Sequence, residues 1–172
     1  MESNLIPNSN KIIITSTRPI REHEENNKDY HFVDIDTFTT KMLTGELIEA
    51  TTFRNWYYGT SIDDLDKDKI NIGVYNPEAV EILVESSNLD IFLVYVTASD
   101  KTRLLRQLNR EEKPDCDEIV RRYTADQNDF RKSRIELLRP AVVVVNDGDR
   151  NVNDLVKEVA NAYNYYTLGK ND

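Results

Sequence analysis

Arginines and tyrosines near the N-terminus have types and spacing that suit binding of a small phosphorylated ligand. Arg18 and Arg21 stand three apart beside Pro19, as at the end of a strand that enters a rigid loop. Guanidinium groups at that spacing can converge on one phosphate and bind it bidentately, which a lysine cannot do. Tyr30 and Tyr58 can add phenolic O–H donors to the same anion. These residues predict a phosphate site.

Glu49 and Thr60 carry groups that suit a purine base. Glu49 ends an apolar run, and its carboxylate can accept a pair of N–H bonds. Guanine offers such a pair in N1–H and N2–H, and the Thr60 hydroxyl can donate to O6. Together with the phosphate site, the two residues predict a pocket for a nucleoside monophosphate. The alternative is a solvated basic loop beside an ordinary aromatic strand, which a lone Arg-x-x-Arg would favour.

Four blocks of this region resemble the guanylate kinase family. They occupy residues 15–22, 28–33, 45–49 and 56–60. The family pattern reads roughly T-T-R-x-P-R-x-G-E, then G-K-D-Y-x-F, then G-x-x-I/L-E, then Y-G-T/S. The resemblance implies phosphoryl transfer from Mg-ATP to GMP or dGMP, with Mg²⁺ entering with ATP. It also implies that the GMP phosphate is held by Arg18, Arg21, Tyr30 and Tyr58 and that guanine is read by Glu49 and Thr60.

A second group of arginines lies further along the chain. Arg106 and Arg110 are four apart and share one helix face, and a breaker at 111–115 separates them from Arg122. In guanylate kinases the matching region is a mobile lid, so the resemblance implies that the three arginines stabilise charge on the transferred phosphoryl group. The alternative is a solvated helix pair with ordinary Glu–Arg contacts. Asn146, followed by Asp147, matches the family's Asn-Asp near the adenine site.

One family motif does not occur in the sequence. Guanylate kinases hold the ATP phosphates with a loop of the form G-x-x-x-x-G-K-S/T. Only Gly169 precedes a lysine, and Asn171 follows where Ser or Thr is required. We therefore expect that the first strand, phosphate loop and helix are absent, and that this chain is N-terminally truncated and inactive alone. In addition, Ile14 replaces a guanine-contacting serine, and the family's aspartates are missing around Asn76.

Three functions remain open at this stage. The first is a guanylate kinase, or a related nucleoside monophosphate kinase, without its N-terminal end. The second is a non-catalytic module that binds GMP or a phosphorylated protein partner through the same pocket. The third is a structural remnant without a ligand.

The composition excludes some classes of function and some kinds of site. The 172 residues carry a net charge of −9, which argues against a nucleic-acid or membrane-surface binder. Cys116 is the only cysteine, so no intrachain disulfide forms, and we expect a cytoplasmic protein. No apolar stretch reaches the roughly 20 residues of a membrane span. Neither His23 nor His31 has a neighbour at metal-ligand spacing, so we predict no protein-borne metal site.

Strands alternate with helices, which predicts a three-layer α/β fold with a mostly parallel sheet. By resemblance the fold is that of a P-loop kinase. We expect one domain over residues 1–172, with an antiparallel GMP-binding subdomain at about 30–75 and a helical lid at about 106–125. Buried strands are predicted at 11–15, 91–96 and 141–145, and a charged helix at 115–135. Two antiparallel strands are predicted at 46–53 and 56–58 with a turn at Arg54-Asn55, and either Asp34 or Asp36 is predicted to cap the helix that precedes them. The apolar faces of two further helices are predicted to comprise Phe38, Met42 and Leu43, and Leu104, Leu105 and Leu108.

Overall fold

The structure is a computed structural model that describes residues 6, 8–86, 88–110, 112–148 and 150–169. The chain divides into two compact units, which we call the N-terminal unit (Pro7–Leu89) and the C-terminal unit (Asp90–Asp172, to which Ile6 also belongs). Among the described residues, no helix has the length and apolar character that crossing a membrane requires.

The N-terminal unit carries the strands that surround the predicted phosphate and base residues. Its elements in chain order are β1 (Ser9–Lys11), β2 (Thr15–Ser16), β3 (His31–Phe32), α1 (Ile35–Leu43), β4 (Leu47–Phe53), β5 (Trp56–Ser61), a 3₁₀ turn (Ile62–Asp64), β6 (Ile70–Ile72) and α2 (Pro77–Ser86). A four-stranded sheet has the order β3-β2-β5-β4, and β1 pairs in parallel with β6.

Pairing within the four-stranded sheet sets the positions of the pocket residues. Strands β2 and β3 are parallel, whereas β2–β5 and β4–β5 are antiparallel. Ser16 lies opposite Tyr58, and Glu49 lies opposite Thr60. Because side chains alternate along a strand, Tyr58 and Thr60 lie on the same face of β5.

The hairpin of β4 and β5 confirms the two predicted antiparallel strands. Its turn is formed by Arg54 (φ 52°) and Asn55 (φ 67°). Positive φ at both central residues is typical of a type I′ turn, whose twist matches that of the flanking strands.

Two helices pack on this sheet. The Asp34 side chain accepts from the backbone N–H of Thr37 and so caps α1, as predicted. Phe38 is 1% exposed, but Met42 and Leu43 are 47% and 78% exposed. The predicted apolar face is therefore reduced to Phe38, and the prediction was wrong for Met42 and Leu43.

Helix α2 supplies most of the aliphatic core of the unit. It begins at a proline, and the Asn76 side chain accepts from the backbone N–H of Ala79. Ala79, Val80 and Leu83 are buried, and the helix packs against β4. This contact backs the strand that carries Glu49.

The predicted strand at 11–15 is interrupted. Its first residue belongs to β1, which pairs with β6, and its last residue belongs to β2, which pairs with β3 and β5. Residues 12–14 connect the two sheets and are half-buried. The predicted buried strand was therefore wrong both in its continuity and in the burial of most of its residues.

The C-terminal unit contains two parallel strands and four helices among its described residues. They are, in chain order, β7 (Val94–Thr97), α3 (Asp100–Leu108), α4 (Cys116–Asp129), α5 (Lys132–Leu138), β8 (Val142–Val145) and α6 (Val152–Leu168). Strand β7 pairs with β8 from Val94 opposite Val142 onwards, and α6 packs on β8. The buried core of the unit comprises Ile119, Val144 and Leu155.

Three predictions for this unit need correction. No residue of β7 is buried and Val96 is 57% exposed, because within the described residues β7 pairs only with β8. In β8, likewise, only Val144 is buried. The predicted apolar stripe of α3 is also wrong, since Leu105 and Leu108 are 45% and 37% exposed.

The predicted helix over 115–135 is divided into α4 and α5. The break falls at Phe130 and Arg131, where the backbone leaves the helical conformation. The Phe130 ring stacks on Tyr95 with a centroid distance of 6.4 Å. The break therefore places the Phe130 ring against a residue of β7.

Candidate functional site

Arg18 lies two residues after the end of β2 and is buried in the phosphate loop, with 9% of its surface exposed. Its Nη2 lies 2.8 Å from Oε1 of Glu24, and its Nη1 lies 2.9 Å from Oε2 of the same carboxylate. Nη1 also donates to the carbonyl of Pro19 at 2.9 Å. These bonds fix the plane of the guanidinium, as expected for a bidentate pair.

Aromatic rings border the same guanidinium. The Cζ atom of Arg18 lies 5.1 Å from the ring centroid of Tyr30 and 5.3 Å from that of Phe32. The rings of Tyr30 and Tyr58 meet edge to face at 6.2 Å. The structure thus brings three predicted phosphate ligands together: Arg18, Tyr30 and Tyr58.

Arg21, the fourth predicted ligand, has a different environment. Its side chain is 68% exposed, and its Nη1 lies 4.0 Å from Oε1 of Glu24. Its backbone N–H donates to Oε2 of Glu24 at 2.9 Å. Arg21 is therefore a solvated cation at the rim of the loop, anchored through its backbone and able to turn towards an anion.

Glu24 is a candidate functional residue that received no role from the sequence. The hydrogen bond from Arg18 lowers the pKa of Glu24 to about 2, and the same bond raises the pKa of Arg18. The signal was present in the sequence, because Glu24 stands at the glutamate of the pattern R-x-G-E. Its contact with Arg18 required the structure.

Glu49 defines the other end of the pocket and is 4% exposed. Its Oε1 accepts from the Thr60 hydroxyl at 2.9 Å. Its Oε2 is buried and has no hydrogen-bond partner within the described part of the chain. Burial raises the pKa of Glu49, and the bond from Thr60 opposes that shift. A buried carboxylate oxygen without a partner is costly and indicates a missing N–H donor.

Tyr75 completes this group and was not singled out from the sequence. Its hydroxyl lies 3.1 Å from Oγ1 of Thr60, and burial raises its pKa. Its ring lies over Gly73, where a Cβ atom would stand 2.4 Å from Cε2 of Tyr75. Only glycine at position 73 leaves enough room for this ring. The sequence G-V-Y showed both residues, but not that the chain folds them together.

Gly59 permits the close approach of β4 and α1 to β5. A Cβ atom there would lie 2.9 Å from the carbonyl oxygen of Glu49 and 3.2 Å from Cζ of Phe38. Both neighbours are buried, so neither has room to move. The absence of a side chain at Gly59 therefore allows the backbone pairing with Ala50, which is next to the pair of Glu49 and Thr60.

A cavity of about 290 Å³ lies at the carboxyl ends of β7 and β8 in the C-terminal unit. Arg106 and Asn146 both line it, and Nη2 of Arg106 donates to Oδ1 of Asn146 at 3.2 Å. The backbone N–H of Asn146 donates to the carbonyl of Thr97 at 2.7 Å, which fixes this residue where the strands end. The structure thus brings together one predicted lid arginine and the predicted adenine-site residue.

Arg103 also lines this cavity and was missed by the sequence analysis. Its guanidinium lies 5.2 Å from the ring centroid of Tyr123 and pairs with Asp100 at 2.5 Å. Its Nε is buried without a hydrogen-bond partner among the described residues. The position of Arg103, three before Arg106 on one helix face, was the available signal.

The other two predicted lid arginines are not part of the described cavity lining. Arg122 pairs with Glu118 at 2.6 Å, one helical turn away on α4. The pKa of Glu118 falls to about 2, chiefly through Arg121 and then through Arg122. Arg110 is exposed in the turn that follows α3. A role for these arginines in phosphoryl transfer remains a prediction.

The family model for guanylate kinase matches residues 4–165 of the chain. The chain belongs to the guanylate kinase family. Its match to a guanylate kinase of Malacoplasma penetrans is 28% identical over 158 residues, covering 86% of this chain and 76% of that protein. Its match to zebrafish (Danio rerio) Protein PALS1 is 26% identical over 146 residues, covering 83% of this chain but only 21% of PALS1.

A solved structure supports the same fold. The crystal structure of guanylate kinase from Anaplasma phagocytophilum matches with a TM-score of 0.65 at 22% identity, covering 92% of this chain and 75% of that one. The fold is therefore the α/β fold of guanylate kinases, a P-loop-kinase-like fold, as the resemblance implied.

Guanylate kinases generally use ATP with Mg²⁺, and the residues present fit this pair only in part. The cavity of the C-terminal unit offers guanidinium groups and the Asn146 amide. The sequence holds no G-x-x-x-x-G-K-S/T segment to cradle three phosphates. Within the described ranges, no group of three His, Cys, Asp or Glu side chains could hold a metal ion. These residues do not by themselves complete a site for Mg-ATP.

Proposed function

We propose that this chain binds GMP or dGMP as the acceptor nucleotide of a guanylate kinase-type phosphoryl transfer. The observation that carries the proposal is Glu49, a buried carboxylate with one oxygen bonded to Thr60 and the other without a partner. N1–H and N2–H of guanine present two donors on one edge, which is what such an oxygen requires. Glu49 accepts from the base, and Thr60 supports it by donating to its other carboxylate oxygen.

The phosphate end of the site has a matching charge. Arg18 and Arg21 carry two positive charges and Glu24 one negative charge, so the loop keeps an excess of one. Glu24 and the two rings hold Arg18 in place, whereas the exposed Arg21 turns inwards on binding. Tyr30 and Tyr58 add O–H donors to the phosphate oxygens. A phosphate with a charge between −1.5 and −2 at pH 7 would gain from the two arginines and the two tyrosines.

The C-terminal unit carries the groups proposed for the transfer step and for ATP. Arg106, Arg110 and Arg122 stabilise charge on the transferred phosphoryl group, and Asn146 lies towards the adenine. In the family, ATP with Mg²⁺ supplies that group. Because the sequence lacks the phosphate-binding loop, we expect the 172-residue chain alone to bind GMP without turning it over.

A second candidate function is recognition of a phosphorylated protein. The match to PALS1 is consistent with an interaction module, because this chain covers only 21% of that longer protein. Arg18 and Arg21 would serve a phosphoserine as well as a nucleotide. A phosphopeptide gives no reason for the unpartnered Oε2 of Glu49, however, so the nucleotide remains the first proposal.

The test is calorimetric titration of the 172-residue chain with GMP. Glu49→Gln keeps the acceptor for Thr60 but replaces the open oxygen by an amide donor, so GMP affinity should fall at least about tenfold. Arg21→Ala should weaken GMP and leave guanosine, which has no phosphate, unaffected. Glu85→Gln, at an exposed position of α2, is the matched control and should bind as the unchanged chain does.

Three outcomes would contradict the proposal. They are the absence of binding heat with GMP, unchanged GMP affinity in Glu49→Gln, and displacement of GMP by a phosphoserine peptide that binds more tightly. The last result would favour the protein-recognition function. Turnover of ATP and GMP that disappears in Arg21→Ala would contradict the expected lack of activity.

A further inference from the structure

Beyond the assigned contacts, we propose that Tyr75 reads the base, by donating its phenolic O–H to the carbonyl at position 6 of the bound purine. This inference rests on the proposed function and names the substrate class more closely. It transfers to Tyr75 the role that the sequence analysis gave to Thr60.

The Thr60 hydroxyl has only one proton, and that proton is committed. Oγ1 of Thr60 lies 2.9 Å from Oε1 of Glu49, and an ionised carboxylate can only accept. Thr60 must therefore be the donor in this bond. Consequently the 3.1 Å contact between Tyr75 and Thr60 has Tyr75 as its donor. Thr60 has no proton left for a carbonyl of the base.

The proton of Tyr75 is the one that a ligand can redirect. It is directed at a neutral hydroxyl, and such a bond is weaker than the charge-assisted bond between Thr60 and Glu49. Turning the O–H towards a ligand carbonyl leaves the Thr60–Glu49 bond intact. Burial raises the pKa of Tyr75, so the phenol stays protonated and remains a donor at neutral pH.

The ring of Tyr75 is held in position before any ligand arrives. It lies against the backbone at Gly73, where a Cβ atom would stand 2.4 Å from the nearest ring carbon and 2.8 Å from the hydroxyl oxygen. The hydroxyl lies 3.1 Å from Oγ1 of Thr60. Because the ring is already in position, only the O–H has to turn on binding, so little entropy is lost.

Together, Glu49 and Tyr75 present an acceptor and a donor with Thr60 between them. A 6-oxopurine has the complementary pair, an N1–H donor beside the O6 acceptor. Adenine has the opposite pair, with N1 as acceptor and a 6-amino group as donor, and would leave both protein groups unmatched. The pocket therefore selects 6-oxopurine monophosphates over AMP.

The test is a cycle of two ligands and several variants, measured by calorimetry on the full chain. GMP is compared with 6-thio-GMP, in which sulfur replaces O6 and accepts a weaker hydrogen bond. The unchanged chain should prefer GMP by about fivefold, as expected for one neutral hydrogen bond. Tyr75→Phe should reduce this preference to near one, while Thr60→Val should keep most of it. Steric effects of sulfur cancel in the cycle.

The matched control is Tyr165→Phe, which removes a phenolic hydroxyl from a residue that is 82% exposed, and it should keep the full preference. Should Tyr75→Phe prove unfolded by circular dichroism, Gly73→Ala provides a second route, since its methyl group displaces the ring. Gly73→Ala should then lose the preference as well.

The outcomes separate this inference from the proposed function. If the unchanged chain binds GMP but Tyr75→Phe retains the preference for GMP over 6-thio-GMP, the inference is wrong and the function stands. Loss of the preference in Thr60→Val but not in Tyr75→Phe would return the role to Thr60. If the unchanged chain binds no GMP, both are wrong.

Discussion

Glu24 and Glu49 are two glutamates of one unit in opposite environments. Glu24 accepts two bonds from Arg18 and one from the backbone of Arg21, which lowers its pKa to about 2. Glu49 is buried with a single bond from Thr60, and burial raises its pKa. The first carboxylate therefore stabilises the folded chain at neutral pH, whereas the second opposes folding there until a ligand supplies a donor.

The free energy of unfolding should depend on Glu24 in acid. Its folded pKa lies below the ordinary 4.5, so its stabilisation is present above pH 4.5 and is lost as pH falls towards about 2. Glu24→Gln should be less stable than the unchanged chain at pH 7, and the difference should shrink as the pH falls through this range. Urea unfolding at several pH values measures it.

The control for this prediction is Glu22→Gln, two residues away in the same loop and exposed. Its difference from the unchanged chain should stay small at every pH. Glu118, whose pKa is also about 2, contributes equally to both proteins and cancels in the comparison. A Glu24→Gln difference that is constant between pH 7 and pH 2.5 would contradict the prediction.

At the scale of elements, the hairpin of β4 and β5 positions the base end of the pocket. Glu49 and Thr60 face each other across it, and the next rung pairs Ala50 with Gly59. Phe38 of α1 packs over Gly59, and its ring lies 5.5 Å from that of Tyr57. Helix, hairpin and pocket therefore meet at one glycine.

Gly59→Ala should destabilise the chain and impair GMP binding. The added methyl group would meet backbone and a buried ring at 2.9 and 3.2 Å, so β4 or α1 has to shift. We expect a loss of about 2 kcal/mol in the free energy of unfolding, as for overpacking elsewhere. Gly169→Ala is the control, because its nearest neighbour is 3.8 Å away. Equal unfolding midpoints for the two variants would contradict this account.

The sequence predicted the elements of the N-terminal unit best where local chemistry decides. The cap at Asp34 and the turn at Arg54-Asn55 both follow from short-range rules, and both were found. The continuous strand at 11–15 was wrong, because which sheet a residue joins depends on strands distant in the chain. The expected burial of Val96 was wrong for the same reason, since burial of a strand depends on its neighbours.

The candidate site was predictable in its residue types but not in its bonds. Motif spacing indicated Arg18, Tyr30 and Tyr58, which the structure brings together. Spacing could not show that Glu24 occupies the fork of Arg18 or that Tyr75 bonds Thr60. Such contacts depend on side-chain conformations set by packing.

At the scale of the whole molecule, the proposed tasks divide between the two compact units. All six proposed GMP contacts lie in Pro7–Leu89, whereas the lid arginines and Asn146 lie in Asp90–Asp172. Binding of the acceptor nucleotide and stabilisation of the transferred group are thus assigned to different units. Variants should separate the two tasks.

Hydrogen exchange with and without GMP should show this division. We expect the slowed amides to concentrate in β2, β4 and β5, where the ligand closes local openings. Arg106→Ala should keep GMP affinity within about twofold, as an exposed residue outside the ligand contacts. Its control is Arg18→Ala, which should lose binding. If GMP slowed amide exchange throughout Asp90–Asp172 as well, the assignment of GMP binding to the N-terminal unit would be contradicted. Weak GMP binding by Arg106→Ala would contradict it too.

Substitutions in the turn at Arg54-Asn55 should raise the free energy of unfolding. Two residues other than glycine hold positive φ there, which costs about 1 kcal/mol or more for each. Replacing the pair by Asn-Gly, the sequence that such turns prefer, would recover part of that cost. Glu49 and Thr60 lie four rungs further along the hairpin, so the change would leave them untouched. The resulting protein would be a tolerant background in which damaging pocket variants stay folded long enough to be measured.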